Sequence, residues 1–132
     1  MNKDILLTGH VLVTTGDPFA DPEAVQIHAD HGVLIKGTRI AATGSADILR
    51  AQAPQATVHD HGNRLILPGF VDAHVHYPQT AIIASWGKRL IDWLNTYTFP
   101  EESRFGDADY AAQVANSYLD LALAHGTTSM CS

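Results

Sequence analysis

Through the first half of the chain, apolar residues come in short runs broken every few positions by Gly, Pro or Asp. Ile5 to Thr14 is rich in Leu, Val and Thr and reads as one or two strands around Gly9. Asp17-Pro18 and Asp21-Pro22 mark a loop, and Val25 to His28 reads as a short strand. A turn at His31-Gly32 is expected to lead into Val33-Leu34-Ile35-Lys36, and Gly37-Thr38 turns that run into Arg39-Ile40-Ala41-Ala42-Thr43, the signal of a hairpin. Ser45 is placed to cap a short helix reaching Gln52, with Pro54 ending it. Thr57-Val58 and Arg64-Leu65-Ile66-Leu67 add two short strands. This rhythm predicts a small sheet or sandwich.

Pro68-Gly69 punctuates the chain, and β-formers come next. If Phe70 to His76 is a strand, its side chains alternate between two faces. Val71, Ala73 and Val75 then make an apolar face, and Asp72, His74 and His76 share the other. Tyr77 to Gly87 has no clean period and reads as a loop, after which Leu90, Ile91, Trp93 and Leu94 cluster at helical spacing. Pro100 disfavours a helix continuing through Phe99. Asp107 is placed as the N-cap of a helix from Ala108 to His125, with Tyr110, Val114, Tyr118, Leu121 and Ala122 as its apolar stripe and Gly126 at C′. Thr127 to Cys131 reads as a second strand. Strand, helix, strand is the βαβ unit of a parallel sheet.

Composition narrows the classes that remain. The 132 residues are 45% hydrophobic with a formal charge of −6, a globular composition with enough material for one modest core. The acidic balance, with no Lys/Arg cluster, argues against nucleic acid or an anionic membrane as partner. The single cysteine, Cys131, excludes an internal disulfide and fits a reducing compartment. Met1-Asn2-Lys3-Asp4-Ile5 lacks the basic region of a signal peptide. No apolar run approaches the ~18 residues that span a membrane. A cytoplasmic location is the expectation.

The candidate chemistry lies on the polar face after Gly69. A buried parallel strand normally reads as nearly continuous hydrophobics, so an acid and two imidazoles on one face call for a reason. Histidines at i and i+2 on a strand project the same way, roughly 6–7 Å apart, and their rings can converge on one cation. Neutral imidazole is the commonest metal ligand, and a cation offsets much of the cost of burying such groups. A bare His-x-His also arises by chance. His59-Asp60-His61 has the same spacing, yet falls at an expected turn where no strand fixes both rings. His10, His28 and His31 read as surface or satisfied polar residues.

Pro68-Gly69-Phe70-Val71-Asp72-Ala73-His74-Val75-His76 resembles the first barrel strand of the amidohydrolase superfamily. Within it, three further blocks resemble the guanine deaminase group in order and interval: His76-Tyr77-Pro78-Gln79, Leu90 to Glu101, and His125-Gly126-Thr127-Thr128. The resemblance runs from Leu65 to the chain end and is weaker before it. It implies an α/β fold in which residues 1–66 are the N-terminal part of a small β-sandwich, completed by C-terminal strands. Residues 67–132 would begin a (β/α)8 TIM-like barrel with its first βαβ unit, incomplete here because such barrels take about 250 residues.

The implied reaction is zinc-dependent hydrolysis of guanine to xanthine and ammonia, with iron as the alternative metal because imidazole suits both. His74 and His76 would be metal ligands, and Gln79 matches the position whose amide hydrogen-bonds the purine. Trp86, Trp93 and Phe99 would shape the pocket wall or lid, with Asp72 as a hydrogen-bonding support. Glu101 and Glu102 are adjacent carboxylates, but the resemblance puts the general acid/base, a further histidine and an aspartate ligand downstream. The chain alone is therefore expected to be inactive. A homodimer is the expected assembly. Two other readings remain: an amidohydrolase acting on another heterocycle (a triazine or adenosine-type deaminase), and a noncatalytic metal-binding scaffold.

Overall fold

The early β-formers pair as β1 (Ile5–Thr14), β2 (Val25–Lys36), β3 (Arg39–Ser45) and β4 (Thr57–Ile66), with the helix α1 (Ala46–Gln52) between the last two. They form one sheet in the order β3-β2-β1-β4. β1 is antiparallel to β2 and parallel to β4, and β2 is antiparallel to β3. The computed structural model describes residues 4–132, which divide into two compact units at Pro68/Gly69. In the first unit, Leu6 and Leu34 of the sheet bury against Leu49 of α1, with Ala42, Ala53 and Ala56 around them. Each such leucine contributes about 2 kcal/mol of burial.

The hairpin expected at Gly37-Thr38 is present, with Gly37 at φ +61° supplying the left-handed residue of the turn. Three local expectations are corrected. His31-Gly32 is not a turn, because β2 runs unbroken through it. The irregularity is a bulge, with Gly9 opposite His31, Val11 opposite His28, and Asp30 at φ +53° absorbing the extra length. Nor is His59-Asp60-His61, with the Gly62-Asn63 after it, a turn: β4 continues through it, with Gly62 at φ +57° beside a register shift against β1. Ser45 precedes α1 but makes no side-chain capping bond.

In the second unit, β5 (Phe70–Asp72) lies parallel to β6 (Thr127–Met130). Between them come a 3-10 helix (Tyr77–Ile82), α2 (Leu90–Trp93), a π-helical turn (Leu94–Thr98), α3 (Phe99–Ser103) and α4 (Ala108–Ala124). The long helix reads from sequence as it folds. The Asp107 carboxylate accepts from the Asp109 and Tyr110 amides at 2.9 and 3.3 Å, and Gly126 ends it at φ +85°. The break expected at Pro100 does not occur. The π turn lets the Phe99 amide reach the Leu94 carbonyl, and Pro100 then sits in the first turn of α3, where its missing N–H costs nothing. No helix among the described residues is long and apolar enough to cross a membrane.

Candidate active site

The expected strand from Phe70 to His76 is shorter than its pattern, ending at Asp72. The residues after Asp72 are still held by the end of β6. The Cys131 amide donates to the Asp72 carbonyl at 2.9 Å, and the Val75 amide donates to the Cys131 carbonyl at 3.1 Å. The Asp72 carboxylate accepts the His74 amide at 3.2 Å. A turn clamped on both sides thus replaces the pleat, and the two rings converge all the same. His74 Nε2 and His76 Nε2 are 3.1 Å apart, with ring centroids at 5.2 Å.

That spacing fits a shared cation. Two nitrogens each about 2.05 Å from one tetrahedral zinc lie about 3.3 Å apart. Both rings reach solvent, and among the described residues no group of three or more His, Cys, Asp or Glu converges as a complete cage. Among the described residues the two rings converge as a pair, without a third ligand-type side chain beside them. His59-Asp60-His61 makes no comparable pair. Asp60 accepts from the Gly62 amide at 2.9 Å and Thr8 Oγ1 at 3.2 Å, and these bonds hold its carboxyl below the usual range. His28 and His31 stack with centroids 4.7 Å apart. His10 departs from its expected satisfied state: its Nδ1 is buried with no hydrogen-bond partner among the described residues.

Beyond His76 the chain turns at once into the 3-10 helix, where the Gln79 amide donates to the His76 carbonyl at 3.0 Å. Gln79 thereby stands beside the histidines on a cavity of about 360 Å³, which Ile82, Trp93 and Tyr118 also line. The Trp93 indole N–H is shared between Ser85 O at 3.1 Å and Ser85 Oγ at 3.0 Å, fixing the ring as a wall. Trp86 and Phe99 are not brought to this wall; they are 71% and 48% exposed. Sequence reasoning weighed Glu102 only for the acid role and missed its partner: its Oε1 accepts from Gln79 Nε2 at 2.9 Å. The two lie 23 residues apart across a loop and two helices, where no period links them.

Glu101, by contrast, is committed to the scaffold. Buried on α3, it accepts a hydrogen bond from the Tyr110 hydroxyl and pairs with Arg104 Nη1 at 2.9 Å. The Arg104 guanidinium lies 3.8 Å from the Tyr110 ring centroid. The Tyr110 bond, with Arg104 assisting, holds the Glu101 carboxyl below its ordinary 4.5, so it is an anion at neutral pH and a poor proton donor. The same bond pushes Tyr110 above its ordinary 10.0. Stabilisation from Glu101 is thus complete above its unfolded value and lost as pH falls through the lowered one. That from Tyr110 is complete below its unfolded value and lost as pH rises through the raised one. Tyr110→Phe in the complete protein is expected to lower the melting temperature by a few degrees near neutrality and to flatten the acid and alkaline limbs. Thermal melts across pH check this; an unchanged profile would mean that the brace adds no stability.

Residues 65–132, which carry this geometry, match the Amidohydrolase family, and residues 32–56 match an imidazolonepropionase-like composite domain of bacteria. The chain belongs to the amidohydrolase family. Its relatives narrow this further. It is 41% identical over 124 residues to a probable guanine deaminase of Deinococcus radiodurans, covering 90% of this chain and 28% of that protein. The crystal structure of guanine deaminase from Bradyrhizobium japonicum superposes with a TM-score of 0.90 at 29% identity, over 98% of this chain and 29% of that one. A guanine deaminase from C. acetobutylicum with guanine bound in its active site gives 0.80 at 28% identity, over 97% and 29%. The chain therefore spans under a third of the length of these relatives.

Proposed function

We propose that this chain is the N-terminal part of a metal-dependent guanine deaminase, which hydrolyses guanine to xanthine and ammonia. The observation that carries the reading is the convergence of His74 Nε2 and His76 Nε2 to 3.1 Å at the cavity that Gln79 and Trp93 line. Similarity to guanine deaminases along nearly the whole chain supports it. In this reading His74 and His76 hold zinc, with iron as the alternative. Held there, such a metal would supply Lewis acidity, the property that lowers the pKa of water towards about 7 in zinc hydrolases. Gln79 binds the purine by its side-chain amide, and Trp93 walls the site against bulk water. Trp86 and Phe99 act as pocket residues only where further chain folds over them.

The same reading assigns residues 1–66 to a β-sandwich and residues 67–132 to the opening βαβ unit of a (β/α)8 barrel. Support comes from the parallel β5–β6 pair joined through α4, and from exposed apolar side chains such as Val71 and Leu90, at 71% and 73%. Isolated parallel strands are not stable with bare faces, and barrel closure covers them. The remaining ligands and the general acid/base lie downstream, so this segment alone is inactive. A homodimer in the cytoplasm completes the proposal.

The test is guanine turnover by the complete, metal-loaded polypeptide beside a panel of adenosine-type and triazine substrates. Preference for guanine supports the reading. A folded, metal-loaded protein that deaminates another ring instead moves it to another heterocycle-acting amidohydrolase, and one that turns over none moves it to a metal-binding scaffold.

A further inference from the structure

We propose that Glu102 is a positioning residue that locks the Gln79 amide in one orientation, turning its carbonyl oxygen towards an N–H of the purine. The inference rests on the guanine reading and deepens it. A free glutamine amide has two orientations of nearly the same shape, one presenting oxygen and the other NH2. A carboxylate only accepts hydrogen bonds, so Glu102 Oε1, 2.9 Å from Gln79 Nε2, demands the NH2 end. Rotating the amide would bring two oxygens together at that distance. Gln79 Oε1 and the second N–H take no part in that bond, and Gln79 lines the cavity.

The anchor itself is held. Glu102 comes directly after Glu101 on α3, and the Tyr110–Glu101–Arg104 brace fixes that helix. Both Glu102 and Gln79 are half-buried, where a charge-assisted bond is less diluted by water than on an open surface. The lock has a consequence for selectivity. An oriented acceptor favours a ring edge offering N–H, as guanine does, and meets repulsion from a ring nitrogen that carries a lone pair there.

The experiment is a double-mutant cycle in the complete, metal-loaded protein: native, Glu102→Gln, Gln79→Ala and the double variant, each assayed on guanine with metal content and melting temperature measured. Glu102→Gln replaces an obligatory acceptor by a group that accepts or donates, so the lock is lost with little change of shape. Its kcat/KM is expected to fall about tenfold, the worth of one oriented hydrogen bond, mainly through KM and with metal content unchanged. In the Gln79→Ala background it is expected to have no further effect, because it acts through that amide. Additive losses, an unchanged kcat/KM in Glu102→Gln, or loss of metal in that variant would each overturn the proposal while leaving the guanine reading in place. Absence of guanine turnover by the native protein overturns both.

Discussion

Replacing His74 by alanine in the complete protein is expected to empty the metal site and to lower kcat/KM for guanine by at least about a thousandfold, roughly 4 kcal/mol at 1.36 per decade. The magnitude comes from the pair's share of the site. His74 Nε2 and His76 Nε2 converge to 3.1 Å, and one imidazole cannot chelate. The remaining ligands would have to hold the ion with an open position on the side where His74 stood, and catalytic zinc sites keep about three protein ligands. Folding should be little disturbed, because the His74 ring reaches solvent and its backbone amide, not its side chain, makes the bond to Asp72. The variant should therefore melt like native protein stripped of metal by a chelator, since both lose the same ligand-linked stabilisation. Metal content per chain and steady-state rates decide the matter. Adding zinc or iron back to the stripped native protein tells which metal restores turnover. Full metal content with unchanged guanine turnover in His74→Ala would end the ligand role.

The features legible in the sequence were local, and those that escaped it were spatial. Asp107 before an apolar-periodic run, Gly126 after it and Gly37 in a short connection each dictate geometry through their own backbone preferences, and each sits as its pattern implies. The histidine pair was legible for a different reason. Residues two apart are neighbours in nearly any extended backbone, so the rings meet even though β5 stops at Asp72 and a clamped turn takes over. Errors arose where a turn signal met a sheet already able to absorb it. His31-Gly32 and His61-Gly62 become bulges inside strands because the pairing on either side outweighs one irregular residue. Pro100 misled similarly, since a π turn upstream converts it from helix breaker to first-turn residue. Gln79–Glu102 was invisible because contact at a separation of 23 residues depends on tertiary packing, for which a single sequence carries no period.

The second large effect is expected far from any charge, at Gly69→Ala, which should destabilise the complete protein by about 3 kcal/mol. A Cβ built at Gly69 would lie 2.1 Å from Thr128 Oγ1, 2.3 Å from Cγ2 and 2.7 Å from Cβ. Rotating the threonine can turn its single Cβ hydrogen into the place of only one of the first two atoms, and Cβ itself stays put, so the backbone must move. The crowding has a structural cause. Phe70 pairs with Thr127 and Val71 with Ser129, which makes Thr128 the extra residue of a bulge in β6 and turns its side chain against Gly69. That bulge sets the register downstream, where Asp72 meets Met130 and Cys131 clamps the turn bearing His74 and His76. Slipping the pairing by one residue would reverse the faces of every later position in the strand. Gly69→Ala is therefore expected to weaken metal retention as well as lower the melting temperature, joining a packing defect to the chemistry. Combining it with Thr128→Ala should restore part of the loss, and with Thr128→Gly more of it, giving a coupling that grows as the clashing atoms are removed. Denaturant melts of the singles and doubles measure this. Equal losses in all three backgrounds would mean that the Thr128 contact neither causes the loss nor sets the register.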